Sequence, residues 1–185
     1  MSKLFTISSA YEWGKAEDTK ISHSELAIKT MVNYVKNRFS DKKNSNLNYK
    51  INYRRLRASA GKTMLDSIIK RIESSNVVII DITSNNRNVF LEAGIALTVA
   101  KKFNNISVYF IREYNSNKKL LEGIPSDLQG YFISEYSITS KGIATFKDQN
   151  SLRMSLESDI KDYFNDFNDL DNFNQIDEIN TIEKS

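Results

Sequence analysis

The chain has 185 residues, 40% apolar and 11% aromatic, which suits one folded domain with a real core rather than a disordered chain. Its 26 basic and 23 acidic residues leave a net charge of +3, too near balance to argue for nucleic acid. Cysteine is absent and His23 is the one histidine, which excludes disulfides, thiolate nucleophiles, Cys-based zinc and multi-histidine metal sites within one chain. A Ser-His-Asp triad would depend wholly on His23. No apolar run approaches the ~20 residues that cross a bilayer. The start, MSKLFTISSAYEWGK, is too polar after Ser8 for a secretory signal. A cytoplasmic protein without membrane contact is therefore expected.

Lys3 to Ser9 is a short apolar run ending in small polar residues, which predicts a buried first strand. A helix follows, capped by Ser22 or Ser24, with Ala27, Ile28, Met31, Val32, Val35 and Phe39 on one face. Tyr49 to Leu56 alternates and predicts a strand. Ser59 to Ser75 predicts a second helix, with Met64, Leu65, Ile68, Ile69 and Ile72 as its apolar stripe and Gly61 near its start. Asn76 to Thr83 (NVVIIDIT) is a nearly continuous β-branched run, as in a strand covered on both faces of a parallel sheet. Val89 to Lys102 predicts a well-buried helix capped by Asn86 or Asn88. Ile106 to Ile111 and Tyr131 to Tyr136 predict two more strands, separated by a helical turn that Pro125 opens. Leu152 to Phe167 carries Leu152, Leu156, Ile160, Tyr163 and Phe164 at helical spacing. Residues 168–185 read as a polar, acid-rich tail.

Strands alternating with helices predict an α/β sandwich over residues 1–167 with a mostly parallel sheet of about five strands. Ligands of such sheets bind outside the carboxyl ends of the strands. That rule selects the loops carrying Ser8 and Ser9; Arg57, Ser59 and Gly61; and Asp81, Thr83, Asn85 and Asn88. RASAGKTML lacks the first glycine of a P-loop, so its lysine reads as solvated. Lys50, Arg54, Arg55, Arg57 and Lys62 make a local basic patch, but alternation sends Arg54 and Arg55 to opposite faces. Either a solvated face or a phosphate-holding Arg55 or Arg57 fits; nucleic-acid binding fits less well. Tyr11 and Trp13 follow the first strand, placed either to stack on a base or to pack on the neighbouring loop. Glu92 is expected in the first turn of its helix, where the helix dipole favours an ionised carboxylate. Helix electrostatics alone would explain it; so would a nucleophile or a stabiliser of positive charge.

Asp81-Ile82-Thr83 followed by Asn88-Val89-Phe90-Leu91-Glu92-Ala93-Gly94-Ile95-Ala96 resembles the D-x-T…N-x-N-V-x-x-E-x-G-x-A segment of nucleoside 2-deoxyribosyltransferase-like and related bacterial TIR-like proteins. KLFTISS is similar to that family's first strand, and Ile124-Pro125-Ser126-Asp127-Leu128 to a segment of its nucleotide-binding members. The resemblance implies a flavodoxin-like three-layer sandwich acting at the N-glycosidic bond of a nucleoside or nucleotide. It implies Glu92 as the catalytic carboxylate and Asp81 as a ligand for ribose or base. Ser8, Ser9, Tyr11, Arg57, Gly61, Thr83, Asn88 and Asp127 would line the substrate site, with Asn88 also holding the loop and capping the helix. Gly94 and Ala96 would let the helix lie close to the sheet. Ala93 stands where leucine is usual, and Arg87 where proline is common. NAD or another nucleotide enters as substrate or ligand, and neither a metal nor a cofactor is expected. A homo-oligomer, or a complex with another defence protein, is implied, in a bacterial anti-phage setting. A metabolic deoxyribosyltransferase, a non-catalytic nucleotide sensor and a partner-recruiting module remain as alternatives.

Overall fold

The computed structural model describes residues 4–12, 22–40, 50–56, 63–117, 122–148 and 151–165. Its strands are β1 (Leu4–Ala10), β2 (Lys50–Arg55), β3 (Val77–Asp81), β4 (Ser107–Glu113), β5 (Ile133–Ile138) and β6 (Ala144–Phe146). Its helices are α1 (His23–Ser40), α2 (Met64–Glu73), α3 (Arg87–Phe103) and α4 over residues 151–165. The six strands form one sheet in the order β2-β1-β3-β4-β5-β6. All neighbours run parallel except β6, which turns back against β5.

Alternation along each strand divides the interior into two cores. Phe5, Ile7, Val77 and Ile79 face one side, where α1 brings Ile28, Met31 and Val35 and α4 brings Leu156, Ile160 and Phe164. Val78, Ile80 and Phe110 face the other side, where α2 brings Ile68 and Ile72 and α3 brings Ala93, Ala96 and Val99. Every residue of β3 is buried, as its β-branched run requires.

Several elements differ from the sequence reading. Helix α2 starts at Met64, because the Thr63 hydroxyl accepts from the Asp66 amide and so caps it there. Met64 and Leu65, expected on its apolar stripe, are 63% and 48% exposed. They sit in the first turn, ahead of the buried residues Ser67, Ile68 and Ile72. Tyr131 and Phe132 fall before β5 and are exposed. Strand β6 was not foreseen: at three residues it is too short for alternation to register. The expected 3-10 turn is present over Ser126–Leu128, directly after Pro125. The tail, residues 168–185, lies outside the described residues.

Candidate active site

The chain leaves β1 for β2 on one side and, after α2, returns to β3 on the other side of β1. The crevice between the carboxyl ends of β1 and β3 is thus the switch point of the sheet. Asn86 opens α3 from the β3 side: its side chain accepts from the Asn88 amide at 2.9 Å. On the β1 side, the Glu12 carboxylate accepts from the Asn86 side-chain amide at 3.2 Å. One hydrogen bond therefore bridges the two walls of the crevice.

Since α3 starts at Arg87, Glu92 belongs to its second turn, not its first. The dipole, which acts within the first turn, no longer governs the side chain. Glu92 is half-buried, and burial pushes its carboxyl from an ordinary 4.5 up to about 7. The expectation of a carboxylate held firmly ionised is corrected: at neutral pH Glu92 divides between acid and base. Among the described residues, the positive charge opposing this shift is Arg55, at the carboxyl end of β2.

Arg55 is tied to Tyr11. The guanidinium lies 3.7 Å from the centre of the Tyr11 ring, and Nη2 donates to the Tyr11 carbonyl oxygen at 2.8 Å. The parallel register aligns Ser9 with Arg55, and Tyr11 follows on the same side of β1. Tyr11 is buried, which pushes its phenol well above the usual range. It is a packed platform under the cation, with no open face shown for a base.

The other expected binding groups divide. Ser8 and Ser9 are fully buried and bond inward. The Ser8 hydroxyl lies 2.6 Å from the Ser75 hydroxyl and accepts from Arg54 Nε at 3.1 Å. The Ser9 hydroxyl lies 2.9 Å from the Tyr53 hydroxyl. Asp81, at 1% exposure, is engaged in the core face. Its Oδ2 accepts from the Tyr136 hydroxyl at 2.7 Å, and its Oδ1 from both the amide (2.8 Å) and the hydroxyl of Thr83. Burial pushes this carboxyl up, while the bonds from Thr83 and Tyr136 pull it back. Thr83 accepts in turn from the Glu113 amide at 2.7 Å, and Glu113 pairs with His23 at 2.8 Å. The ends of β3, β4 and β5 and the start of α1 are thereby pinned together.

Asn88 is exposed in the first turn of α3, and Asn86 performs the capping expected of either residue. Asp127 is exposed on the 3-10 turn, 3.4 Å from the Ser126 hydroxyl. Gly94 is exposed, with open space where a Cβ would stand, so Ala93 and Ala96 are the small residues that bring α3 onto the sheet. Trp13, Arg57, Ser59, Gly61 and Lys62 lie outside the described residues.

Groups that sequence reasoning missed are Glu12, Asn86 as a bridge, and Arg112. A cavity of about 300 Å3 adjoins the carboxyl ends of β3 and β4, lined by Thr83, Asn85, Arg112, Glu113, Tyr114 and Glu122 among others. Glu92 is not part of its lining. Asn85 holds the left-handed conformation there (φ 51°), which the SNNRN run signals through its asparagines. Gly123, also left-handed at φ 77°, passes beneath Asn85, and a Cβ on it would stand 2.7 Å from the Asn85 amide nitrogen. Arg112 and Glu135 are buried opposite each other across β4 and β5, 3.8 Å apart. No residue-spacing rule in the sequence pairs them.

Among the described residues no helix is long and apolar enough to cross a membrane. No protein-family model matches the chain, and no curated protein matches it.

Proposed function

We propose that the chain cleaves or transfers at the N-glycosidic bond of a nucleotide or nucleoside, with NAD+ as the first substrate and Glu92 as the working carboxylate. The observation that carries this reading is Glu92 itself: a half-buried carboxylate on α3, the helix that follows β3, with its midpoint pushed by burial up to about 7 against the charge of Arg55. The strand order β2-β1-β3-β4-β5 supports it, being the flavodoxin-like order whose ligands sit between β1 and β3. In the chemistry, the bond from the anomeric carbon to the base nitrogen breaks and its electron pair leaves with the base. A pyridinium base becomes neutral by that step and needs no proton donor. Ionised Glu92 stabilises the oxocarbenium carbon; water then bonds to that carbon and passes its proton to Glu92. Reaction through the ionised form makes activity rise as pH passes about 7. Service in bacterial defence and assembly into oligomers follow from the sequence resemblance, a cytoplasmic location from the polar start and the short apolar runs, and all three belong to the same proposal.

A second reading, a non-catalytic nucleotide-binding module, draws on the inward bonding of Asp81, Ser8 and Ser9. These bonds engage Asp81, expected to hold ribose or base, and both serines within the fold. Incubating the wild type and Glu92→Gln with NAD+, deoxynucleosides and nucleotides, and following free base by chromatography, separates the two. Base release that falls by about 100-fold or more in the variant supports the enzyme. Tight nucleotide binding with no base release from any substrate overturns it in favour of the module.

A further inference from the structure

The crossover from β4 to β5 leaves one part of the sheet short of cover. Parallel strands are usually joined by a helix that packs on the sheet. Among the described residues of 114–132 the one helical element is the 3-10 turn Ser126–Leu128. Ile124 and Leu128 pack in the core with Ile133, at the start of β5. Val108 of β4 stands two residues before the first β4–β5 pair, Phe110 with Ile133, and is only partly buried. With Leu97, Thr98, Ala100 and Lys101 of α3 and Tyr131 of the crossover, it lines an open, mainly apolar groove of about 450 Å3. Tyr131 and the next residue, Phe132, are exposed. Lys101 forms no ion pair among the described residues.

A second cavity, of about 470 Å3, shares Ala100 with this groove and reaches Phe5, Ser107 and Tyr163. It therefore lies where β1 and β4 begin, at the opposite end of the sheet from the crevice. Helix α4 finishes at the same place. The Tyr163 hydroxyl donates to the Leu4 carbonyl oxygen at 3.1 Å, and the Phe164 ring lies 6.4 Å from that of Phe5. Residues 166–185, outside the described residues, continue from there. Their sequence places an apolar residue at every third position: Phe167, Leu170, Phe173, Ile176, Ile179 and Ile182. It also carries six carboxylates against one lysine, Lys184. Twenty residues span up to about 66 Å when extended. The whole of α3 runs about 25 Å. A few residues thus carry the chain past Ala100, and the rest are long enough to fill the groove.

We propose that residues 166–185 turn around the amino-terminal end of the sheet and dock in the groove between α3 and Tyr131, apolar side chains inward. The chain thereby supplies from its own tail the cover that the β4–β5 crossover lacks. Charge favours this occupant. The acidic tail meets Lys101 and its neighbour Lys102, whereas Asp159 and Asp162 at the second cavity repel it and direct it onward. A second copy meeting the groove face to face would instead set these lysines against their own counterparts. The apolar residues of the tail leave water on docking, which is the main driving force.

The absence of cysteine allows a nitroxide label at one engineered position of the full chain. Asn180→Cys, and separately Lys184→Cys, place the label at polar positions of the tail. In 15N-labelled protein, the NMR amide signals of Leu97, Thr98, Lys101 and Val108 lose most of their intensity, those of α1 keep theirs, and chemical reduction of the nitroxide restores the loss. Replacing Phe173, Ile176 and Ile179 together with serine abolishes the effect. Spin-labelled protein without 15N, mixed with unlabelled 15N protein, produces no loss, because the contact is within one chain. Undiminished groove signals from both label positions, a loss that persists in the triple-serine variant, or an equal loss in the mixed sample overturns the proposal; the last outcome assigns the groove to the tail of a second copy. A check without any label compares the full chain with the triple-serine variant. Amide shifts gather at Leu97 to Lys101 and at Val108, and identical spectra there overturn the proposal as well.

Discussion

Replacing Glu92 with glutamine should make the protein more stable at pH 8 and leave it nearly unchanged at pH 4. The sign follows from the direction of the shift. Burial raises the folded-state midpoint of Glu92 from 4.5 to about 7, so the native state keeps its proton while the unfolded chain loses it. Native stability therefore falls as pH rises between about 4.5 and 7 and stays lowered above that. At about 1.36 kcal/mol per pH unit, this window corresponds to at most roughly 3.4 kcal/mol. Glu92 is only half-buried, and water screens part of the effect, which leaves about 1–2 kcal/mol. Glutamine keeps the shape and removes the titration. The assay is urea unfolding of wild type and Glu92→Gln at pH 4, 6 and 8, with the difference in midpoint growing across the series. A constant difference, or one that favours the wild type at pH 8, would refute the reasoning about burial. A variant that gains stability while losing base release would show a carboxylate kept for chemistry at a cost to the fold.

Two further outcomes follow from other parts of the structure. Gly94→Ala should stabilise the protein by about 0.5–1 kcal/mol in thermal unfolding, because the site is exposed in mid-helix with room for the methyl group; destabilisation would mean that α3 is packed differently. Tyr136→Phe should cost about 1–3 kcal/mol in urea unfolding at pH 7, because it withdraws a buried donor from Asp81; a neutral effect would place that hydrogen bond outside the native state.

Much of the architecture was legible because it follows from periodicity. NVVIIDIT could only be covered on both faces, and the stripe from Ala27 to Phe39 could only face a core. Alternation also foretold the parting of Arg54 and Arg55: the first goes to Ser8 and Ser74, the second to Tyr11. What failed was orientation near the ends of elements. Met64 and Leu65 have the right spacing but lie in the exposed first turn of α2, ahead of its buried residues. Asp81 has the right place in the chain, yet period-2 geometry sends it toward Tyr136 on the α1 side rather than outward. Tyr136 lies 55 residues away, and no local pattern announces such a partner. The position of Glu92 in the chain was legible, but its charge state was not. That state depended on a helix start two residues earlier than expected and on burial by neighbours distant in sequence.

The two margins of the sheet have a consequence for how the protein behaves in a crowded solution. A long flat margin invites another chain to add a strand. Here one margin is β6, which offers only three residues after reversing direction against β5. The other is β2, which carries Lys50, Arg54 and Arg55 and has Arg71 leaning over its last carbonyl. A second copy approaching β2 would bring the same positive charges against these. Both margins are poor templates, one for want of length and the other for its charge, and the sheet is guarded against edge-to-edge aggregation.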